Sequence, residues 1–238
     1  MFARLRDKLR TLGWADTLWF TTDRVLGRMS FGSARFIKYY VIAQPVAEVA
    51  PSPVRKPGDM QLYVGCCLDD TIRQAARPIQ ALEDRFAQGS RCVVAERSGT
   101  FAGFIWLCPD TYREDTLRCV YRWAPAEAAV WDFDVFVAPP FRMGRLFARL
   151  WERAHSLLAA ENVRWTLSRI DAFNAGSLAA HRKLGAREIA RAWFLIVGAC
   201  QLTLCTVAPR WHFSFREADA PQITFDLSQL DRSAERRG

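Results

Sequence analysis

The alternation of apolar and polar positions along the chain predicts a definite order of strands and helices. Trp131, Phe133, Val135 and Val137 alternate with Asp132, Asp134 and Phe136, which predicts a strand over Ala129–Val137. Leu146, Leu150, Ala154 and Leu157/Leu158 recur at helical spacing and predict a helix from about Met143 to Glu161. Before them, strands are expected over 35–46, 60–67, 91–97 and 101–108. The last two are joined by a Ser-Gly-Thr turn, with Gly103 placed for a bulge. Asp69 or Asp70 is placed to cap a helix that is broken at Pro78 and runs to about Ala87. A strand over Leu117–Arg122, or an irregular excursion reaching Glu127, follows. After the long helix come a strand at 164–170, a helix at 177–184 ended by Gly185, and strands at 187–197 and 201–207. This order predicts an α/β fold with a mixed, mostly antiparallel central sheet flanked by helices.

The two ends of the chain read differently. Phe2, Leu5, Leu9 and Leu12 recur at helical spacing among Arg4, Arg6, Lys8 and Arg10. Gly13 would end this helix, and Asp16 would cap a second one carrying Leu18, Trp19, Val25, Leu26 and Met29. Residues 1–58 therefore read as an N-terminal extension of amphipathic helices plus a strand, closed by a Pro/Ser-containing linker at 49–58. Residues 59–227 read as the main domain, and 228–238 as a tail expected to be disordered. The extension either packs on the main domain, packs on a second subunit as a homodimer, or lies at an anionic membrane surface through residues 1–30.

Composition narrows the function classes. The net charge of +8 is carried almost wholly by arginine, whose planar fork suits phosphate and carboxylate groups. The arginines are dispersed, and no basic stretch is interleaved with aromatics in a nucleic-acid-binding pattern, so no nucleic-acid partner is expected. Seven cysteines, an odd number with no Cys-x-x-Cys pair, argue against a disulfide framework or a zinc ribbon. Free thiols and no metal are expected, in a cytoplasmic protein that is membrane-associated only if the basic start serves that purpose. No apolar run reaches bilayer length, and the start lacks a signal-peptide pattern.

Two strand-to-helix passages carry the candidate chemistry. The first runs Val137-Ala-Pro139-Pro-Phe141-Arg142-Met143-Gly144-Arg145-Leu146, and the second Asn174-Ala-Gly-Ser177-Leu-Ala-Ala-His181-Arg-Lys183-Leu184-Gly185-Ala186. Each opens a helix whose first N–H groups lack partners within the helix, an arrangement that attracts anions. Together, at this spacing and in this order of elements over about residues 59–207, they resemble the GCN5-related N-acetyltransferases. The resemblance implies an acyl-CoA cosubstrate, acetyl-CoA or another acyl-CoA, and a small-molecule amine acceptor. It also implies that backbone groups of Phe136 and Val137 contact the pantetheine arm. Arg142, Met143, Gly144, Arg145 and Leu146 would hold the phosphates, while Asn174 and Ser177 would bind the arm from the opposite wall. The sequence departs from the family pattern in two places. Only Gly144 remains of a loop that usually has two or three glycines, and His181 stands where the family often has a tyrosine.

An attacking amine must lose a proton, and the departing thiolate gains from a donor. Asp134, then Asp132, rank as candidate bases, since strict alternation would set both on one face of their strand. Each equally suits an ion pair with neighbouring arginines, and Glu127 is a third candidate. Two close carboxylates would raise one pKa. His181 is either a hydrogen-bond or proton donor to the thiolate, or a packed helix residue. Trp106, Tyr112, Tyr121 and Trp123 would suit an acceptor that stacks on aromatics, or equally a core. The expected activity is N-acetyl transfer by direct attack in a ternary complex. The alternatives are a catalytically weak binding module of the same fold, or an acyltransferase using a longer acyl-CoA.

Overall fold

The computed structural model describes residues 2–30, 33–47 and 60–230, without the side chains of residues 2–12 and 15. The linker at 49–58 and the tail from 231 lie outside these residues. In chain order the elements are α1 (Phe2–Met29), β1 (Ala34–Pro45), β2 (Met60–Gly65), α2 (Asp70–Arg73), α3 (Ile79–Ala87), β3 (Arg91–Arg97), β4 (Thr100–Cys108), β5 (Tyr112–Arg113) and β6 (Val120–Ala124). There follow β7 (Ala129–Val137), α4 (Leu146–Ala160), β8 (Trp165–Asp171), α5 (Ala175–Lys183), β9 (Arg187–Val197), β10 (Cys200–Cys205), β11 (Trp211–Ser214) and β12 (Gln222–Asp226). The fold is α/β, with mixed, mostly antiparallel sheet flanked by helices and a helical N-terminal extension.

The chain divides into two compact units. One comprises Met1–Gln44, Arg113–Arg122 and Ser168–Phe225; the other comprises Pro45–Tyr112, Trp123–Leu167 and Asp226–Gly238.

In the second unit β2, β3, β4 and β7 are antiparallel neighbours, and β7 pairs in parallel with the start of β8. Strands β3 and β4 are buried almost throughout, because helices cover both faces of this sheet. On one face Leu146, Leu150, Trp151, Ala154 and Leu158 of α4 pack against Val93, Ala95, Ile105 and Leu107. On the other, Phe86 of α3 packs on Trp106, their ring centroids 4.8 Å apart. Such two-sided burial explains why β4 reads as an apolar run rather than an alternation.

Gly103 is required by close approach. A Cβ there would lie 2.6 Å from the Phe136 carbonyl oxygen and 3.3 Å from Val137 Cα. The register between β3 and β4 shifts beside it, with Glu96 opposite Phe101 and Ala95 opposite Gly103, so the expected bulge is present.

In the first unit β1, β9, β10 and β11 form an antiparallel run. Helix α1 is kinked at Gly13, where φ is +78°, at the expected break between two helices. Asp16 is not the cap expected for the second of them. It is buried, and its carboxylate accepts from Lys38 Nζ at 2.5 Å and from Tyr40 Oη at 2.7 Å. A pattern scan saw a capping residue where the fold needed a counter-ion for a buried lysine. Strands β11 and β12 were not expected: both are short, and in β11 Trp211 and Phe213 are exposed, while β12 buries only Ile223 and Phe225.

Two stability tests follow. Gly103→Val is expected to destabilise the protein by about 1–3 kcal/mol or more through overpacking against backbone, measured by urea unfolding. Lys38→Met, which strands a buried Asp16 carboxylate, should cost about 3–5 kcal/mol, and adding Asp16→Asn should restore part of the loss.

Candidate functional site

The cofactor passage expected after β7 lies wholly in the second unit. Strand β7 runs over Ala129–Val137, as expected, but its alternation is broken. Trp106 pairs with Phe133 and Phe104 with Phe136, so Asp134 and Val135 together oppose the single residue Ile105. This is a β-bulge. Asp134 sits in it with φ of +45°, the left-handed region that aspartate tolerates better than most residues. Asp132 and Asp134 are therefore not simple neighbours on one face, as strict alternation would have them.

Asp134 lies between two guanidinium groups. Arg77 donates through Nε and Nη2 at 2.8 and 2.5 Å, and Arg85 through Nη1 at 2.7 Å. Burial pushes the carboxyl pKa up, but hydrogen bonds from Arg77 and Arg85 outweigh it and hold the pKa below the ordinary aspartate value. The first-ranked base is thus kept ionised as an ion-pair partner, and the upward shift expected from paired carboxylates does not occur there. Asp132 is buried, opposite Leu107 of β4. Glu127 is exposed in the short turn before β7, at the other end of that strand from the cofactor passage.

Strand β7 pairs in parallel with β8 at Ala129–Trp131. From Trp131 to Val137 it pairs with β4. The end of β7, Val135, Phe136 and Val137, lines an open cleft of about 320 Å³ together with Arg142 and Phe147. A short 3-10 turn at Pro139–Phe141 then leads to α4, which begins three residues later than the pattern predicted. No side chain caps α4, so its first N–H groups are available to an anion. Arg142, Arg145 and Arg149 are exposed around that start, and Met143 is fully exposed. A Cβ at Gly144 would meet only the Phe141 carbonyl oxygen, at 3.7 Å, so the surrounding protein does not require a glycine there. Arg142 Nε donates to the Val137 carbonyl at 3.0 Å, taking one of the backbone groups expected to meet an acyl donor. The Phe136 ring has the Arg77 and Arg142 guanidinium carbons at 5.1 and 5.7 Å from its centroid.

The remaining expected residues lie in the first unit. Asn174 caps α5, its Oδ1 accepting from Ser177 N–H at 3.0 Å, which leaves the amide nitrogen at the exposed surface. Gly185, with φ of +82°, follows the helix end, as expected. His181 is buried, and its Nδ1 lies 2.9 Å from Gln44 Oε1. Burial lowers its pKa to about 4, so the ring is neutral near pH 7. It holds no proton for a charged general acid and can act only as a neutral hydrogen-bonding group. A small cavity of about 30 Å³ adjoins it, lined by Tyr40, Ile42, Ile170 and Leu178 among others.

Pattern reading missed Arg77 and Arg85, which govern Asp134. Their only signal was charge on a short helical segment, and their partner lies 49 or more residues away along the chain. The aromatics considered for the acceptor, Trp106, Tyr112, Tyr121 and Trp123, are all buried and serve the core. Among the described residues, no group of three or more His, Cys, Asp or Glu side chains could hold a metal ion. No described helix is long and apolar enough to cross a membrane.

No protein-family model matches the chain, and no curated protein matches it. Solved structures do. A functionally unknown conserved protein from Staphylococcus epidermidis is 10% identical, with a TM-score of 0.46, over 74% of this chain and 67% of that one. A tandem GNAT protein from the clavulanic acid biosynthesis pathway is 16% identical, with a TM-score of 0.47, over 72% and 56%. A GCN5-related N-acetyltransferase from Kribbella flavida is 12% identical, with a TM-score of 0.42, over 71% and 62%. The chain thus spans from just over half to about two thirds of the length of these structures.

Asp134→Asn removes the charge facing Arg85 and is expected to cost about 3 kcal/mol at pH 7. Because the folded pKa is depressed, the wild type's advantage should be full above about pH 5 and shrink as pH falls through that pKa. Parallel urea titrations of both proteins at several pH values check this. The depressed His181 pKa likewise implies that wild-type stability falls by up to about 3 kcal/mol as pH drops from about 6.5 to 4, since the unfolded chain takes the proton first. His181→Asn should flatten that part of the profile.

Proposed function

We propose that the chain is an acyl-CoA-dependent acyltransferase that moves an acetyl group from acetyl-CoA to a primary amine of a small molecule or amino sugar. One observation carries the proposal: the end of β7 lines a cleft and leads into the uncapped, arginine-rich start of α4. Backbone N–H and C=O groups along a strand edge suit the amides of a pantetheine arm, which can pair as an added strand does. An uncapped helix start with three exposed arginines suits a pyrophosphate. Arg145 and Arg149 fit that task better than Arg142, whose Nε is engaged by Val137.

In the proposed reaction the amine nitrogen attacks the thioester carbonyl carbon. The new C–N bond forms, the C–S bond breaks, and sulfur leaves with its electron pair as thiolate. The ammonium proton is lost to solvent, because Asp134 is committed to its arginines. The thiolate is protonated by solvent, since the single N–H of neutral His181 meets Gln44 Oε1.

Calorimetric titration of the full chain with acetyl-CoA tests the reading. Arg145→Gln with Arg149→Gln should weaken binding about 10-fold or more, as two charge-assisted contacts are lost. An amine panel with thiol release as readout then tests transfer, and His181→Ala beside it tests the role of that ring. No binding at millimolar acetyl-CoA would sink the proposal. Binding without transfer would favour a binding module, and tighter binding of a long-chain acyl-CoA would favour a longer donor.

A further inference from the structure

The first unit presents an apolar face on the side of its sheet where α1 lies. Phe36, Lys38 and Tyr40 alternate along β1, and α1 packs on that face. Trp19 stacks on Phe36 with ring centroids 4.7 Å apart, Asp16 bonds Lys38 and Tyr40, and Asp23 Oδ1 accepts from the Phe36 N–H at 2.9 Å. Residues paired directly across strands present their side chains on the same face. Phe36 pairs with Leu195, Leu195 with Leu202, and Leu202 with Phe213. In the neighbouring row Lys38 pairs with Trp193, Trp193 with Leu204, and Leu204 with Trp211.

The face that α1 covers over β1 therefore continues across β9, β10 and β11. There Leu204, Trp211 and Phe213 are exposed, Trp211 by 66%, and Trp193, Leu195 and Leu202 are half-buried. The alternate residues Ala192, Phe194, Gln201, Thr203 and Ser214 are buried on the other face. Apart from Phe194, the sheet thus turns small and polar groups inward here, and several of its large apolar groups outward.

The helix repeats this inversion. Trp14, Leu18, Val25 and Met29 share one stripe of α1 at spacings that keep to a single side, and all four are exposed. They lie opposite the Asp16 and Asp23 side that meets β1. Beside them Arg24, Arg28 and Arg35 line an open cleft of about 490 Å³ with Asp23. The charge is partitioned the same way. The first unit's segments hold 18 arginines and lysines against 9 aspartates and glutamates, a net +9, whereas the second unit's segments sum to −1, which together make the chain's +8.

We propose that this face of the first unit docks on an anionic phospholipid surface. Its tryptophans and leucines enter the interfacial layer, and the Arg24–Arg28–Arg35 cleft takes headgroup phosphate. Tryptophan suits that layer because its apolar ring and polar N–H match a boundary that is greasy on one side and wet on the other. A unit of net positive charge is drawn to an anionic surface, while the same charge disfavours meeting a second copy of itself.

The test is co-sedimentation of the full chain with phosphatidylcholine vesicles, with and without phosphatidylglycerol. Binding is expected only with phosphatidylglycerol, and should weaken as salt shortens the Debye length. Arg24→Gln with Arg28→Gln should lower the partition coefficient roughly 25-fold, about five-fold per arginine. Trp211→Ala with Phe213→Ala should also lower it while leaving circular dichroism and the melting midpoint unchanged, because both side chains are exposed. Equal partition onto both vesicle types, or none onto either, would overturn the proposal. So would a dimer seen by light scattering that Trp211→Glu splits and anionic vesicles do not compete away. None of these readouts needs an acyl donor, so the result stands apart from the proposed acyl transfer.

Discussion

The ion cluster of Asp134 with Arg77 and Arg85 is the constraint on which the second unit's cleft depends. It fixes an aspartate at positive φ within a β-bulge, a conformation that costs about 1 kcal/mol or more when nothing holds it. The extra residue changes which side chains of β7 face which side from that point onward. It lies at the start of the segment that lines the cleft. Gly103 matters for a related reason, since it lets β4 approach the β7 backbone more closely than any side chain would allow.

The cluster also decides what chemistry Asp134 can do. A carboxylate receiving three short donor contacts from two guanidinium groups has its charge fixed and its lone pairs largely taken. It organises the strand end, and through Arg77 it sets a cation over the Phe136 ring. Burial settles His181 in a different way, by stripping water from the imidazole until only the neutral ring is stable near pH 7. Two groups that look like an acid–base pair in the sequence are thus one group held charged and one held neutral near pH 7.

The first unit shows that composition is poorly informative until it is placed. A net charge of +8 spread over dispersed arginines excludes little. The same charge assigned to one of two units, beside a sheet face and a helix stripe with their large apolar groups outward, describes a surface. Neither the unit boundaries nor the cross-strand rows exist at the level of sequence, because each unit is assembled from three separated segments.

The sequence by itself determined the order and kind of most elements: the span of β7, the apolar stripe of α4, a cap for α2 at Asp69 or Asp70, the break at Gly13 and the glycine-ended α5. These are local, set by periodicity, capping and backbone freedom within a few residues, and so they can be read locally. It also located the two passages that resemble an acyl-CoA site. Only the tertiary structure decided the bulge at Asp134, the burial of Trp106, Tyr112, Tyr121 and Trp123, and the use of Asp16 as counter-ion to Lys38 rather than as a cap. Each of those outcomes depends on a partner distant in the chain. Pairing, desolvation and ionisation are properties of what surrounds a residue in space, which its neighbours in sequence do not specify.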